Sequence, residues 1–282
     1  MKKIVLLFIL GIAFKFGYSQ NYIPSVDELN SFFSTKTYVV LETNPIASYN
    51  FKIQDAVKNH WTITDYEFIS YKKFEEMRTD PKCSFLIMTQ VVFDKDKTKV
   101  RYNFLHLLLG KDVKKFEDMP DIAAIPLSYT EVDEEYWVYK LGTIVRFLQN
   151  HVKLIKNKPE LISENIFKYY NTNMKNVKNK TLYLVKDELE ETINTEAKIK
   201  KVYPYNVKIV DRETIEEAID NGDEDIVFLH KVGPQGSRLR ARCYKILIGA
   251  SDAEFYYFNF HNIIKGKHPD AFLKKDLKKL AK

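Results

Sequence analysis

The pattern of apolar and polar positions in this chain occurs twice. Tyr66–Ser70 begins with the alternating residues Tyr66-Glu67-Phe68, and Phe85–Met88 is apolar throughout, with a short helical pattern containing a Glu-Glu pair between them. The same succession returns at Val207–Asp211 and Ile226–Leu229, again with a Glu-Glu pair in the intervening helix. Because apolar positions coincide in the two stretches, we interpret the chain as an internal duplication of one α/β unit.

Each copy reads as strand, helix, strand, helix and three further strands. The first strands, Tyr38–Leu41 and Leu182–Val185, do not alternate, which is typical of strands buried on both faces. The alternating second strands fit half-exposed edges, and the apolar third strands fit the centre of a sheet. Right-handed crossovers then favour the strand order 2-1-3-4-5, with the last two strands antiparallel. The predicted fold class is α/β with α+β additions, built from two tandem repeats whose mixed sheets have parallel cores.

Further elements follow the same order in both copies. Helical patterns come after the first strands, at about Ala47–Trp61 and Leu189–Tyr203. Fourth strands are predicted at Val100–Leu109 and Leu239–Ile248, and each of them ends at a glycine.

The segment between the two copies is helical in pattern. Apolar residues recur at helical spacing over Glu135–Ile155, and the Asn- and Lys-rich stretch Asn171–Lys180 is the best linker candidate. We therefore predict a first repeat at residues 20–134, a helical connector at 135–179 and a second repeat at 180–282.

The N-terminus has the pattern of a secretory leader. Two lysines precede the apolar run Ile4–Phe14, and the small residues Gly17 and Ser19 stand at the −3 and −1 positions of a cut before Gln20. Residues 1–19 are thus predicted to be a signal peptide, which makes the mature protein periplasmic or secreted. A retained membrane anchor is the alternative, because Lys15 interrupts the usual region before the cut.

Composition restricts the remaining choices. The chain has 282 residues, 45% of them apolar, which is enough for two domains with cores of their own. The formal net charge is +6, and three of the positive charges lie in the leader, so no nucleic-acid partner is expected. Cys83 and Cys243 hold unlike places in the two repeats, so a disulfide would join the repeats; two buried free thiols are the alternative.

Polar residues follow the parallel strands of the second repeat. Ligands of open α/β sheets tend to lie beyond the carboxyl ends of such strands. In the second repeat these ends carry charged side chains that predict a site for a small anionic ligand, at Lys186, Asp211, Arg212, His230 and Lys231. The alternative is structural, because Asp211 stands where a helix N-cap is expected and lysines can end strands in water.

A second basic set lies along the predicted fourth strands, at Arg238, Arg240 and Arg242 and, in the first repeat, at Lys97, Lys99 and Arg101. Alternating residues of a regular strand share one face. Rows of guanidinium groups bind carboxylates and phosphates, so the pattern predicts a patch for an anion or an acidic partner. The alternative is a solvated face, or charges that prevent edge-to-edge strand pairing.

Two further features bear on function. The histidines form no close metal pair, no Gly-x-Ser-x-Gly elbow occurs, and the first strand-to-helix turns lack the glycines of a phosphate site. We therefore predict no catalytic residues, no metal and no cofactor, and favour a protein that is not an enzyme. The C-terminal stretch Asp270–Lys282 is amphipathic, which suits either docking on its own domain or weak contact with an anionic membrane surface.

In broad outline the chain resembles the uncharacterised, signal-bearing α/β proteins of the Bacteroidetes, which are rich in Lys, Asn, Tyr and Phe. Its duplicated β-α-β-α-β units are also similar in layout to N-terminal domains of Tol-type periplasmic proteins. These resemblances imply export but no activity, because a shared layout does not carry function. The expected function is a non-enzymatic binding or scaffold protein of the cell envelope, with an envelope protein as partner. The alternative is a binder of small anions, or a hydrolase, that uses the strand ends of the second repeat.

Overall fold

The computed structural model of the protein describes residues 23–93, 99–162, 165–236 and 240–282. The predicted leader, Lys97 and Arg238 lie outside these residues. The first sheet consists of β1 (Lys36–Leu41), β2 (Tyr66–Ser70), β3 (Cys83–Val92), β4 (Arg101–Leu109) and β5 (Asp121–Tyr129). The second consists of β6 (Thr181–Val185), β7 (Val207–Val210), β8 (Ile226–Val232), β9 (Arg242–Gly249) and β10 (Phe255–Asn262).

Eight α-helices accompany the sheets within the described part of the chain: α1 (Val26–Phe32), α2 (Ser48–His60), α3 (Tyr71–Met77), α4 (Leu141–Asn157), α5 (Ile166–Tyr170), α6 (Glu196–Lys200), α7 (Arg212–Asn221) and α8 (Lys274–Leu280). None of these helices combines the length and the apolar character needed to span a membrane.

The two sheets have the same strand order. The first is β2-β1-β3-β4-β5, and the second is β7-β6-β8-β9-β10. In each sheet the first three strands are parallel and the last two are added antiparallel. The predicted order is therefore confirmed, and so are the edge positions of β2 and β7 and the central positions of β3 and β8.

The two sheets do not turn equivalent faces towards each other. The first crossover helix of the first sheet, α2, lies between the sheets, and so does the second crossover helix of the second sheet, α7. The corresponding residues show the difference, because Val39 of β1 belongs to the shared core whereas Leu184 of β6 belongs to the outer core of the second sheet. The two halves therefore contact each other through different surfaces, in a head-to-tail arrangement that no two-fold axis relates.

Three elements differ from their predicted form. The Leu189–Tyr203 stretch contains only a 3-10 turn and the short α6, because Leu189 pairs with Phe272 in an isolated parallel bridge that keeps the backbone extended there. The long helix α4 begins at Leu141, because Trp137 has φ −143° and ψ −25° and cannot continue a helix. The fourth strand of the second sheet begins at Arg242, so Arg240 precedes it.

The last part of the connector and the C-terminus both pack on the second sheet. Asn171–Asn179, the linker candidate, forms 3-10 turns against β10, and the Asn171 amide pairs with the backbone of Phe258 in both directions. The apolar side chains of Leu277 and Leu280 on α8 are buried in the core of the second sheet, while the lysines of α8 are exposed. The apolar face of α8 is therefore occupied by the protein itself.

Candidate ligand-binding site

A cavity of about 430 Å³ lies between the edge strands β5 and β10. Helix α4 forms its floor, and α5 lies along its side. The lining is predominantly apolar and rich in phenylalanine; among others it includes Phe93, Phe104, Phe147, Phe167, Phe255, Phe258 and Phe260, with Ile122, Ile125, Ile155 and Ile246. A concave apolar site of this size with a few polar groups is typical of small-molecule binding.

Helical spacing and aromatic stacking shape the cavity. Phe147, His151 and Ile155 follow one another at intervals of four on α4, which places them on one face of the helix. The Phe147 ring stacks on Phe255 with a centroid distance of 3.6 Å and an interplanar angle of 4°. Phe167 of α5 stacks on Phe258 in the same way, at 3.7 Å and 11°. Because α4 and α5 are tied to β10 by these stacks, the walls are formed before any ligand arrives.

Arg242 supplies a positive charge to the cavity lining. Its guanidinium carbon lies 3.9 Å from the centre of the Phe93 ring and 5.5 Å from that of Phe260. The backbone is held by Tyr102, whose hydroxyl accepts from the Arg242 N–H at 2.6 Å and lies 2.9 Å from its carbonyl oxygen. No acidic side chain of the described residues forms an ion pair with Arg242. The cavity thus contains a positioned guanidinium whose charge is available to an anion.

Other polar groups of the lining are engaged with one another. His151 Nδ1 lies 2.8 Å from the Tyr170 hydroxyl, and burial lowers the pKa of His151 to about 4, so the ring is neutral at pH 7. The carboxylate of Asp121 lies 2.8 Å from His106 Nδ1. Arg242 is therefore the group of this lining that best suits the recognition of a charged ligand.

Most residues of the predicted small-anion site are engaged elsewhere or exposed. Lys186 and Asp211 are exposed, and Asp211 caps α7 by accepting from the Thr214 N–H at 2.9 Å. Arg212 pairs with Asp187 at 2.7 Å. At the carboxyl edge of the second sheet, Arg212 and Asp211 are therefore engaged in a surface ion pair and a helix cap.

Two of the predicted residues lie inside the protein. Lys231 pairs with Asp270 at 3.0 Å, and the two side chains are only 4% and 5% exposed. His230 Nε2 donates to the carbonyl oxygen of Pro126 at 2.8 Å, and burial lowers the pKa of His230 to about 3. Since Pro126 belongs to β5, this hydrogen bond joins the two sheets.

A buried Lys140–Glu188 pair in the same region was not foreseen. The Lys140 ammonium lies 3.8 Å from Glu188 Oε1 and makes no hydrogen bond to a described residue. Burial lowers the pKa of Lys140 and raises that of Glu188. The one available sequence signal is that Lys140 stands between Trp137-Val138-Tyr139 and Leu141, within an apolar stretch.

The residues of the predicted basic patch do not lie together in the structure. Lys99, Arg101 and Arg240 are exposed at the surface, whereas Arg242 lines the cavity. The two cysteines, Cys83 and Cys243, are buried free thiols. Within the described residues, no group of three His, Cys, Asp or Glu side chains is arranged to hold a metal ion.

Comparisons of the chain with protein-family models, with curated proteins and with solved structures return no match.

Proposed function

We propose that this protein is an exported, non-enzymatic binding protein that holds an amphipathic anion in the cavity between its two sheets. The apolar body of the ligand lies among the phenylalanines, and its carboxylate, phosphate or sulfate pairs with Arg242. The observation that carries the proposal is a guanidinium without an acidic partner among the described residues, placed in the lining of an aromatic cavity of about 430 Å³.

The apolar lining accounts for the body of the ligand. Each methylene group that leaves water for such a surface contributes about 0.8 kcal/mol. Stacked rings on α4, α5 and β10 hold the walls in place, so little ordering is needed when the ligand enters. Ile23, Phe167 and Phe260 are 57%, 38% and 46% exposed, which supports an entrance with an apolar rim.

The position of Arg242 accounts for the charge of the ligand. Phe93 and Phe260 flank the guanidinium and displace water from its faces, which strengthens its interaction with an anion. The planar N–H groups of arginine match two oxygens of a carboxylate or phosphate at once. An ammonium ligand would be repelled from the same position.

We further propose that the binding cavity arose between two duplicated α/β modules. The common strand order supports duplication, and the head-to-tail stacking explains why the modules enclose different surfaces. The leader pattern of residues 1–19 supports export. A small-anion site or a hydrolase at the carboxyl edge of the second sheet is the weaker proposal, because Arg212 and Lys231 already pair with Asp187 and Asp270.

Calorimetry with three ligands that share the same alkyl tail and differ in their head groups tests the proposal: decanoate, decanol and decylammonium. We expect decanoate to bind most tightly and decylammonium least. In Arg242→Gln the affinity for decanoate should fall about tenfold or more, to the level of decanol, because a charge-assisted hydrogen bond is lost. Arg240→Gln is the matched control, since Arg240 is exposed outside the cavity.

A second variant tests the location. Ala124 lines the cavity and is exposed, so Ala124→Trp should obstruct the site without disturbing the buried core, and decanoate binding should be lost. The proposal is wrong if decanoate does not bind the unmodified protein, or if Arg242→Gln and Arg240→Gln bind it equally well.

A further inference from the structure

A polar cleft of about 290 Å³ lies on the other side of the wall formed by Phe147 and Tyr170, whose side chains also line the apolar cavity. Its remaining lining comes from α4, from Tyr169 of α5, from the Asn171–Asn179 segment and from the start of β10 with the preceding Glu254. We infer that this cleft is a second, independent binding site and that it takes a neutral saccharide.

The hydrogen-bonding groups of the cleft are mostly acceptors. The side-chain amides of Asn150 and Asn173 donate to the carbonyl oxygens of Asp252 and Phe255, at 2.9 Å and 3.0 Å. These bonds fix both amides and leave their Oδ1 atoms without a partner among the described residues. The Glu254 carboxylate likewise forms no side-chain hydrogen bond or ion pair within the described residues. A ligand with several hydroxyl donors satisfies such a set, because each hydroxyl donates one hydrogen bond.

Asn176 provides the donor that complements these acceptors. Its side chain is exposed, lines the cleft and makes no hydrogen bond to a described residue. A planar amide can donate to one sugar hydroxyl and accept from the next, which is the arrangement that neighbouring hydroxyls of a pyranose ring present. The tyrosine rings of the lining supply an apolar surface for the C–H face of such a ring.

The charges around the cleft argue for a neutral ligand. An anion would meet the carboxylate of Glu254, which has no cationic partner among the described residues, whereas the neighbouring Asp252 is paired with Lys180 at 3.6 Å. A cation would compete with the protein itself, since Lys158 lies 4.8 Å from the centre of the Tyr169 ring and Lys180 lies 5.4 Å from that of Tyr256. A neutral polyol is not repelled by the carboxylate and does not compete with the lysines.

Saturation-transfer NMR and calorimetry with four probes test the inference: the methyl glycosides of glucose, galactose, mannose and N-acetylglucosamine, each at millimolar concentration. We expect at least one of them to bind. Asn176→Ala should weaken that binding about threefold to tenfold, the effect of one hydrogen bond. Asn179→Ala is the matched control, because Asn179 is an exposed asparagine of the same segment that does not line the cleft.

Both asparagines are exposed, so neither substitution should change the melting temperature, and a change in binding can be assigned to the cleft. Glu254→Gln should also weaken the glycoside, because a charge-assisted acceptor is lost. The inference is overturned if none of the four glycosides binds, if Asn176→Ala and Asn179→Ala bind alike, or if tetramethylammonium displaces the glycoside.

The outcome does not depend on the apolar cavity. Arg242→Gln should bind the glycoside like the unmodified protein, and Asn176→Ala should bind decanoate like the unmodified protein. Loss of glycoside binding in Arg242→Gln would contradict two independent sites.

Discussion

The ammonium group of Lys140 lies 3.8 Å from the carboxylate of Glu188, and the two side chains are only 1% and 8% exposed. Lys140 immediately precedes α4, and Glu188 follows β6, so the pair connects the start of α4 to the second sheet. The separation is too long for a hydrogen bond. Burial lowers the pKa of Lys140 and raises that of Glu188, so the attraction between the two groups only partly compensates the cost of removing their charges from water.

Replacement of this pair should show that it does not stabilise the fold. We expect Lys140→Met and Glu188→Leu, each alone, to lower the free energy of unfolding by about 3 kcal/mol, because each leaves an uncompensated buried charge. The double variant should recover the stability of the unmodified protein or exceed it. Urea unfolding of the four proteins measures the coupling.

The exposed pair Lys73–Glu76, at 3.1 Å, is the control for this comparison. Lys73→Met should change stability by less than about 0.5 kcal/mol. If the effects of the two substitutions on the free energy of unfolding are additive, Lys140 and Glu188 do not interact, and the expected recovery in the double variant is ruled out.

Another buried ion pair, Lys245–Asp276, joins the C-terminal helix to β9, and its carboxylate accepts several hydrogen bonds. Asp276 accepts from Lys245 at 2.7 Å, from the Tyr257 hydroxyl at 2.6 Å and from the Asn259 amide at 2.9 Å. Burial alone would raise the pKa of Asp276, but the charge of Lys245 and these hydrogen bonds together lower it. Asp276 therefore contributes stability above its ordinary pKa of about 4, and this contribution is lost as the pH falls through the lower value in the folded protein.

We expect Asp276→Asn to lower the free energy of unfolding by about 3 kcal/mol near neutral pH, because Lys245 is left buried without a counter-ion. Helix α8 should then release its apolar face, which limited proteolysis near Leu277 would detect. Lys275→Gln, on the exposed side of the same helix, should have no such effect. Equal protease resistance of the two variants would show that Asp276 does not hold α8 in place.

The strand order could be predicted because the relevant signals are local. Alternation in β2 and β7 and its absence in β3 and β8 indicate which strands are edges and which are central, whatever packs against them. The extended backbone at Leu189 could not be predicted in this way, because it pairs with Phe272, which is far away in the sequence.

The candidate site, like the extended backbone at Leu189, depends on contacts between residues that are distant in the sequence. Arg242 was recognised as one of a row of basic residues, but its place in a cavity depends on how the two sheets stack, and no local pattern encodes that arrangement. Lys140 and Glu188 are likewise ordinary surface residues by type. Their burial follows from the loop that precedes α4, which covers the carboxyl edge of the second sheet.

Two glycines should respond in opposite ways to the same substitution. A Cβ atom at Gly110 would lie 1.9 Å from the carbonyl oxygen of Asp80, and backbone cannot move aside cheaply. Gly142 lies in α4, where a Cβ atom would meet nothing closer than 3.4 Å, at the His60 ring. We expect Gly110→Ala to lower the melting temperature and Gly142→Ala to raise it slightly, since alanine favours a helix by up to about 1 kcal/mol over glycine. Equal shifts in thermal unfolding would contradict the close approach at Gly110.

The hydrogen bond from His230 to Pro126 makes the contact between the sheets sensitive to acid. Burial and then the charge of Lys140 lower the pKa of His230 from 6.5 to about 3, against the opposing effect of the hydrogen bond to Pro126. The neutral ring thus stabilises the folded state above pH 6.5. As the pH falls from 6.5 towards 3, the unfolded chain binds a proton that the folded protein does not. This site then lowers the free energy of unfolding by about 1.4 kcal/mol per pH unit.

His230→Gln should therefore lose less stability than the unmodified protein when the pH is lowered from about 7 to about 5, although it is less stable at both values. Urea unfolding at the two pH values measures the difference, and His268→Gln, at a partly exposed position, is the control. Because acidic side chains contribute equally to all three proteins, only the difference between the two histidine variants reports on His230. An identical decrease in both variants would mean that His230 takes up a proton in the folded state, and that its contact with Pro126 does not exclude one.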